Sequence, residues 1–192
     1  MQKTYLTGEQ LLIDSFKLAE QVLLSGFRPT FIIAVWRGGA PIGIALQEYL
    51  SFHGIDTDNI AIRTSSYAAG IDLQSRTVKV HDLNYLVKSV QQHDRLLIVD
   101  DVFDTGRSIE AIIGQLAQRT RRNMPQDIRV AVPYYKPSRS EVSRIPDYFI
   151  HETAAWLKYP HSMEGLSVLE MAEKRPALYQ IIKDHLPAPA ES

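Results

Sequence analysis

Three short runs that are wholly or largely apolar constrain the fold of this chain more than any other feature of its sequence. They lie at residues 31–35, 96–99 and 128–132; the first two are unbroken, and Arg129 interrupts the third. An unbroken apolar run of this length is typical of a strand whose two faces are both buried, as in a parallel sheet. Segments with helical periodicity separate the runs. We therefore predict an α/β fold with a central, mainly parallel sheet flanked by helices.

The segments around these strands complete the predicted architecture. Helices are predicted at residues 7–26, 41–52, 83–90, 108–120 and 168–185. Pro176 predicts a kink or a break in the last of them. Shorter strands are predicted at residues 60–63, 77–80 and 148–150. The small, polar residues 65–74 predict a mobile loop. Ligands of such sheets bind beyond the carboxyl ends of the strands, where we expect the functional site.

Composition excludes several classes of protein. The chain has 192 residues, 45% hydrophobic and 22% charged, and we expect a single domain over residues 1–192. The formal net charge of −1 favours neither a nucleic-acid nor a membrane partner. The lack of cysteine excludes disulfides and thiolate chemistry. No signal-peptide pattern follows Met1, and no apolar run approaches the roughly 20 residues that span a bilayer. We therefore expect a soluble, cytoplasmic protein.

The strongest chemical motif follows the second apolar run. Residues 97–108 read Leu-Ile-Val-Asp-Asp-Val-Phe-Asp-Thr-Gly-Arg-Ser. The adjacent carboxylates of Asp100 and Asp101 suit a pair of ribose hydroxyls and a nearby Mg²⁺. The N–H groups and hydroxyls that open the next helix suit a phosphate. Turn and cap formation would account for one aspartate, but not for three followed by Thr-Gly-Arg-Ser.

This motif resembles the phosphoribosyl-pyrophosphate signature of the type I phosphoribosyltransferases. The resemblance implies that Asp100 and Asp101 hold the ribose hydroxyls and that Asp101 also lies near the Mg²⁺. The residues implied to bind the 5′-phosphate are Asp104, Thr105, Gly106, Arg107 and Ser108. Phosphoribosyl pyrophosphate and a purine base are the implied substrates. The family also suggests a homo-oligomer, either a dimer or a tetramer.

The resemblance also implies a function for two further segments. Arg37 and Gly38 follow the first apolar run, where the family binds pyrophosphate, often through a non-proline cis peptide. Without the resemblance, this segment would be interpreted as an ordinary strand-to-helix turn. Ser66 and Tyr67 resemble the Ser-Tyr loop that closes over the reacting centre in the purine enzymes and excludes water. Arg76 is a further candidate for the pyrophosphate, with a solvated surface arginine as the alternative.

A third segment resembles the hood of bacterial and archaeal xanthine, guanine and hypoxanthine transferases. The hood is expected largely within residues 136–168. The resemblance implies that Lys136 meets the 6-oxo group, that Trp156 stacks on the base and that the Leu157 backbone reads its edge. A surface lysine and a core tryptophan are the alternatives.

The residues after Pro160 depart from this pattern. Relatives carry an acid shortly after the Trp-x-x-x-Pro segment, near the base edge or a second metal. Here the first acid is Glu164, which comes slightly late. This departure puts recognition of the 2-amino group of guanine in doubt. Hypoxanthine has no such group and is therefore favoured.

The resemblance implies a mechanism in which Asp104 acts as the general base at N7 of the purine. Lys136 would polarise the 6-oxo group, and Arg37 with the Gly38 amide would stabilise the leaving pyrophosphate. Two alternatives stay open. One is a nucleotide-sensing regulator of the same fold, which would need a basic face for nucleic acid. The other is a transferase for another base.

Overall fold

A computed structural model describes residues 3–68 and 76–185. The strands are β1 (Lys3–Tyr5), β2 (Phe31–Trp36), β3 (Asp58–Ala68), β4 (Arg76–Val80), β5 (Arg95–Val99), β6 (Val102–Phe103), β7 (Asp127–Tyr135), β8 (Tyr148–Glu152) and β9 (Trp156–Lys158). The helices are α1 (Gly8–Leu24), α2 (Gly39–Phe52), α3 (Asn84–Ser89), α4 (Arg107–Thr120), α5 (Val168–Lys174) and α6 (Pro176–Ile182). The chain divides into two compact units, Glu9–Ala155 and a smaller one formed by Met1–Gly8 with Trp156–Ser192.

The larger unit contains the sheet that the apolar runs predict. Its strand order is β4-β3-β2-β5-β7-β6, and β8 also pairs with β7. Neighbouring strands are parallel throughout, except for the antiparallel pair β3–β4. An α-helix lies between the strands of each parallel pair along the chain, except for β7 and β8, which residues 136–147 connect. The predicted α/β fold with a mainly parallel sheet is therefore confirmed.

The core of this unit lies where the apolar runs face a helix. Ile33 is in register with Ile98, and Ile98 with Val130, so the three side chains lie on one face of the sheet. All three are fully buried in a cluster that also contains Ile112 and Leu116 of α4. Spacing of four residues places the two α4 side chains on one side of that helix. Burial of each such side chain stabilises the fold by about 1.5–3 kcal/mol.

The prediction of a mobile loop beginning at Ser65 is wrong for its first residues. Strand β3 continues to Ala68 and pairs antiparallel with β4, with Ser65 opposite Lys79. Pairing in an edge hairpin satisfies the backbone, and polar side chains are tolerated on a face exposed to water. The remainder of the predicted loop, residues 69–74, lies outside the described residues.

Most other differences concern where elements begin and end. Helix α2 begins at Gly39, two residues earlier than predicted, and α4 begins at Arg107. Strand β7 continues to Tyr135, so Lys136 follows its carboxyl end directly. The short strand β6, which lies between β5 and α4 and was not predicted, pairs with the end of β7.

The smaller unit contains a two-stranded parallel sheet that the sequence did not predict. Lys3 of β1 is opposite Trp156 of β9, and Tyr5 is opposite Lys158. The predicted last helix is divided into α5 and α6 at Arg175. This break agrees with the expectation for Pro176, which lacks an N–H group and suits the first turn of α6.

Candidate functional site

The carboxyl ends of three neighbouring parallel strands carry most of the predicted site residues of the larger unit. Strands β2, β5 and β7 are adjacent in the sheet and end at Trp36, Val99 and Tyr135. The residues that follow, Arg37, Asp100 and Lys136, are therefore delivered to the same edge of the sheet. The parallel topology thus brings together segments that are far apart in sequence.

The two adjacent aspartates lie in a desolvated position at this edge. The Asp101 N–H donates to Oδ1 of Asp100 over 2.9 Å. Burial, followed by the charge of Asp101, raises the pKa of Asp100 well above its usual range. Burial raises the pKa of Asp101 to about 6. Ionisation of both carboxyl groups is therefore unfavourable in this position. A cationic ligand beside them would stabilise their charged forms.

The turn after β2 approaches these aspartates closely. The Trp36–Arg37 peptide is cis. A Cβ atom added at Gly38 would fall on the carboxylate of Asp101, and one added at Gly39 would lie 2.9 Å from Cα of Asp100. The two glycines are therefore required for the close packing of this turn against the end of β5.

The N-terminus of α4 closes a small cavity beside the aspartates. The cavity has a volume of about 190 Å³ and is lined by residues 100–106, Ser108 and Ile109. Gly106 precedes the helix with a left-handed φ of 78° and has no side chain to cap α4. The Arg107 N–H donates to the Thr105 hydroxyl over 3.4 Å. N–H groups at a helix N-terminus are suited to bind an anion. Arg107 does not line this cavity, and its guanidinium pairs with Glu141.

The carboxylate of Asp104 lies between two cations. Lys136 Nζ donates to Oδ2 of Asp104 over 3.4 Å, and Arg139 Nε donates to Oδ1. Lys136 is almost fully buried, with 7% of its surface exposed. The alternative that it is an ordinary surface lysine is therefore wrong. The sequence did not identify Arg139 as a site residue, because a lone arginine in a polar segment has no distinguishing pattern.

The segment of residues 139–144, which follows β7, is held against the loop around Gly106 and the start of α4 by hydrogen bonds and ion pairs. Glu141 N–H donates to the carbonyl of Thr105 over 3.0 Å, and the Glu141 carboxylate pairs with Arg107. Arg144 Nε donates to Glu110 of α4 over 2.9 Å. These contacts fix the segment that carries Arg139 against the start of α4. They were not predicted, because each involves residues more than 30 positions apart.

The predicted base-binding residues Trp156 and Leu157 belong to the smaller unit. There they line a cavity of about 250 Å³ together with Lys158, Tyr159, Ser162 and Glu164. Trp156 is 44% exposed, whereas Leu157 is buried. The exposed ring does not fit the alternative of a core tryptophan, and it can contact a ligand. Glu164, the acid that comes late in sequence, lines this cavity as well.

Three predicted site residues lie at the margin of the described part. Ser66 and Tyr67 belong to β3, and Arg76 begins β4, but their side chains lie outside the described residues. Within residues 3–68 and 76–185, no group of three or more His, Cys, Asp or Glu residues is placed to hold a metal ion by itself. In the same ranges, no helix has the length and apolarity needed to cross a membrane.

Comparison with known proteins places these features in a family. The family model for the phosphoribosyl transferase domain matches residues 1–168. No match was found among curated proteins. The solved purine phosphoribosyltransferase of Pyrococcus horikoshii Ot3 is 27% identical, with a TM-score of 0.65 over 87% of this chain and 98% of that one.

Two further solved structures share the fold at lower identity. A hypothetical protein from Neisseria gonorrhoeae with bound ppGpp is 20% identical, with a TM-score of 0.71 over 94% of this chain and 97% of that one. The xanthine-guanine-hypoxanthine phosphoribosyltransferase of Helicobacter pylori is 21% identical, with a TM-score of 0.62 over 92% of this chain and 99% of that one.

Proposed function

Because the chain belongs to the phosphoribosyl transferase domain family, we propose that it transfers the phosphoribosyl group of phosphoribosyl pyrophosphate to N9 of a 6-oxopurine. The products are a nucleoside monophosphate and pyrophosphate, as in purine salvage. The 27% identical structure is named as a purine phosphoribosyltransferase, which supports a purine as the acceptor.

The observation that carries the proposal is the pairing of Lys136 with Asp104. The ammonium is a donor and the carboxylate an acceptor, 3.4 Å apart. On a 6-oxopurine, the O6 acceptor and position N7 lie next to each other on one edge of the base. When N7 carries its proton, this edge presents an acceptor beside a donor and so complements the pair. The 6-amino group of adenine would instead place a donor against the Lys136 ammonium.

The cavity at the start of α4 supports binding of the phosphoribosyl group. The N–H groups at the start of the helix would bind the 5′-phosphate, and the hydroxyls of Thr105 and Ser108 add donors. Asp100 and Asp101 line the same cavity and would accept hydrogen bonds from the ribose hydroxyls. Arg37 and the Gly38 amide, beside Asp101, would bind the pyrophosphate.

Mg²⁺ fits the chemistry of the two aspartates. This ion commonly takes one or two protein carboxylates and completes its shell with water and substrate phosphates. Asp101 is the proposed ligand, because its carboxylate touches the Gly38 turn proposed for pyrophosphate. When bound, the ion would neutralise part of the pyrophosphate charge.

In the proposed reaction, the bond from C1′ to pyrophosphate breaks and the bond from N9 to C1′ forms, through an oxocarbenium-like transition state. Asp104 accepts the proton that N7 loses, and Lys136 donates a hydrogen bond to O6. Arg37 and the Gly38 amide stabilise the charge that develops on the leaving group. Arg139 holds the Asp104 carboxylate in place from its second oxygen.

Hypoxanthine is the favoured base, because the residues that follow Pro160, namely His161, Ser162 and Met163, include no acid that would recognise the 2-amino group of guanine. Guanine and xanthine belong to the same proposed class. The Glu164 residue lines the cavity with Trp156, and its carboxylate is the group that could recognise a 2-amino substituent.

Steady-state nucleotide formation tests this proposal. The protein is incubated with phosphoribosyl pyrophosphate, Mg²⁺ and either hypoxanthine, guanine, xanthine or adenine. We expect the highest kcat/KM with hypoxanthine. Equal activity with guanine that is lost in Glu164→Gln would assign the 2-amino group to Glu164. Absence of product with all four bases would refute the proposed function and favour the regulatory alternative.

A further inference from the structure

We propose that the C-terminal helices α5 and α6 hold β9, the strand proposed to contact the base, in position, and that Arg175 and Glu170 are positioning residues for base binding. We call the contacts that these two residues make the brace. This inference rests on the proposed function, in which Trp156 and Leu157 of β9 contact the purine. All the contacts that carry it lie within the smaller unit. The family match ends at Val168, where α5 begins, so the brace lies almost entirely beyond the matched region.

Arg175 fastens the loop that follows β9 through its backbone. The side chain lies at the junction of α5 and α6 and donates hydrogen bonds to four carbonyl groups. The acceptors are Lys158 at 3.2 Å, Tyr159 at 2.6 Å, Pro160 at 3.0 Å and Ser162 at 3.0 Å. A planar guanidinium can satisfy several acceptors in one fixed geometry, so it sets the path of this loop.

Glu170 connects α5 to β1, the strand that pairs with β9. Its carboxylate accepts hydrogen bonds from Lys3 and, over 2.9 Å, from the Tyr5 hydroxyl. The same residue forms a capping box with Ser167, which fixes the start of α5. The hydrogen bond from Lys3, followed by that from the Ser167 backbone, lowers the pKa of Glu170 to about 2. Glu170 therefore remains a charged acceptor at neutral pH.

The pairing of β1 with β9 decides which backbone groups can read a base. The carbonyl of Lys158 accepts from the N–H of Leu6 over 2.9 Å and thus faces β1. Backbone groups of successive residues in a strand point to opposite edges, so those of Leu157 face away from β1. Among the described residues, β9 pairs with β1 alone. The brace consequently turns the Leu157 backbone outward, toward the edge at which a base would be read.

The ring of Trp156 is held by the same arrangement. Lys158 Nζ lies 4.2 Å from the centroid of the Trp156 ring, within the range of a cation–π contact. The ammonium also donates to the carbonyls of Glu164 and Gly165, over 2.7 Å and 3.3 Å. Arg175 holds the loop through the neighbouring carbonyls. The orientation of the stacking ring therefore depends on the residues that Arg175 fixes.

This arrangement predicts a selective effect on the base. None of the groups proposed to bind phosphoribosyl pyrophosphate contributes to these contacts, since those with described side chains lie in the larger unit. Loss of the brace should raise the KM for the base and leave the KM for phosphoribosyl pyrophosphate nearly unchanged. A purely structural role would instead lower the amount of folded enzyme and change neither KM.

The test compares Arg175→Ala and Arg175→Lys with Arg28→Ala. Arg28 is a matched control, because it also donates to backbone carbonyls, at Leu23 and Phe27, but in the larger unit. For Arg175→Ala we expect the KM for hypoxanthine to rise by about tenfold or more, as displacement of a binding group commonly produces. The lysine variant should recover part of the loss, and Arg28→Ala should resemble the wild type.

Equal increases in both KM values, or none, in folded Arg175→Ala would overturn the inference. Should that variant not fold, Glu170→Gln keeps the shape of the side chain and is expected to show the same selectivity with a smaller effect. Activity of the wild type decides the proposed function independently. A wild type that forms nucleotide, combined with unselective variants, refutes only the brace.

Discussion

Lys136 Nζ lies 3.4 Å from Oδ2 of Asp104, although the two residues are 32 positions apart in the chain. Lys136 follows the end of β7, and Asp104 lies in the loop between β6 and α4. Parallel pairing of β5 with β7 brings these two segments together. The pair combines a donor with an acceptor, as recognition of a protonated N7 beside O6 requires, and the account of base recognition depends on it.

The first prediction concerns the proposed general base. Asp104→Asn keeps the size of the side chain but removes the proton acceptor. We expect kcat to fall by about 10²–10⁴-fold, the usual contribution of general acid–base catalysis. The circular dichroism spectrum should be unchanged. Asp56→Asn, at an exposed position, is the control and should keep full activity. Unchanged turnover in Asp104→Asn would mean that another group takes the proton.

The second prediction concerns the close approach of Gly38 to Asp101. In Gly38→Ala, the added methyl group would collide with the Asp101 carboxylate. We expect the KM for phosphoribosyl pyrophosphate to rise by about tenfold or more, because misplacement of binding groups is costly.

Gly114→Ala is the matched control for this substitution. Gly114 lies within α4, and an added Cβ would meet nothing within 4 Å. Alanine is the better helix former by about 0.5–1 kcal/mol, so this variant should be active and slightly more stable. Normal substrate binding by Gly38→Ala would show that the turn after β2 has no role in the pyrophosphate site.

The third prediction is a pH-dependent gain of stability on neutralising Asp101. Burial raises the pKa of this carboxyl to about 6, above the value of roughly 3.9 expected for an unfolded chain. The charged form is thus disfavoured in the native state. The cost is absent below the unfolded pKa and is fully present once the pH exceeds the folded value.

Asp101→Asn should therefore gain stability relative to the wild type as the pH rises from about 4 to about 7.5. With allowance for partial exposure, we expect a gain on the order of 1 kcal/mol, or roughly 2–4 °C in Tm. Thermal unfolding at both pH values, without Mg²⁺ or substrate, measures it. A difference in Tm that stays constant with pH would contradict the raised pKa.

The fold was predictable because its main signals are local. The apolar runs at β2, β5 and β7 identify buried strands, since both faces of each are covered. The signature at residues 97–108 also lies in one continuous segment, so its residue types and spacing are visible without a structure. The β1–β9 pair was not predictable, because strands of three residues have no periodicity and their partners lie about 150 positions apart.

The missed site residues are charged residues whose role depends on a distant partner. Arg139 and Glu141 lie in a polar segment that a sequence alone would place in solvent. Only the packing of this segment against the start of α4 shows that they pair with Asp104 and Arg107. The same applies to Arg175, because its four acceptors are backbone carbonyls and any residue type carries one.

The central claim, that Lys136 and Asp104 read the edge of a 6-oxopurine, is tested most directly by discrimination between hypoxanthine and adenine. The measurement is the ratio of kcat/KM for the two bases, in the wild type and in Lys136→Met. We expect the wild type to prefer hypoxanthine by at least about a hundredfold, because a site built for hydrogen bonds rejects a mismatched group strongly. The ratio should fall toward one in Lys136→Met. A wild type that uses adenine as well as hypoxanthine, or a variant with an unchanged ratio, would contradict the account.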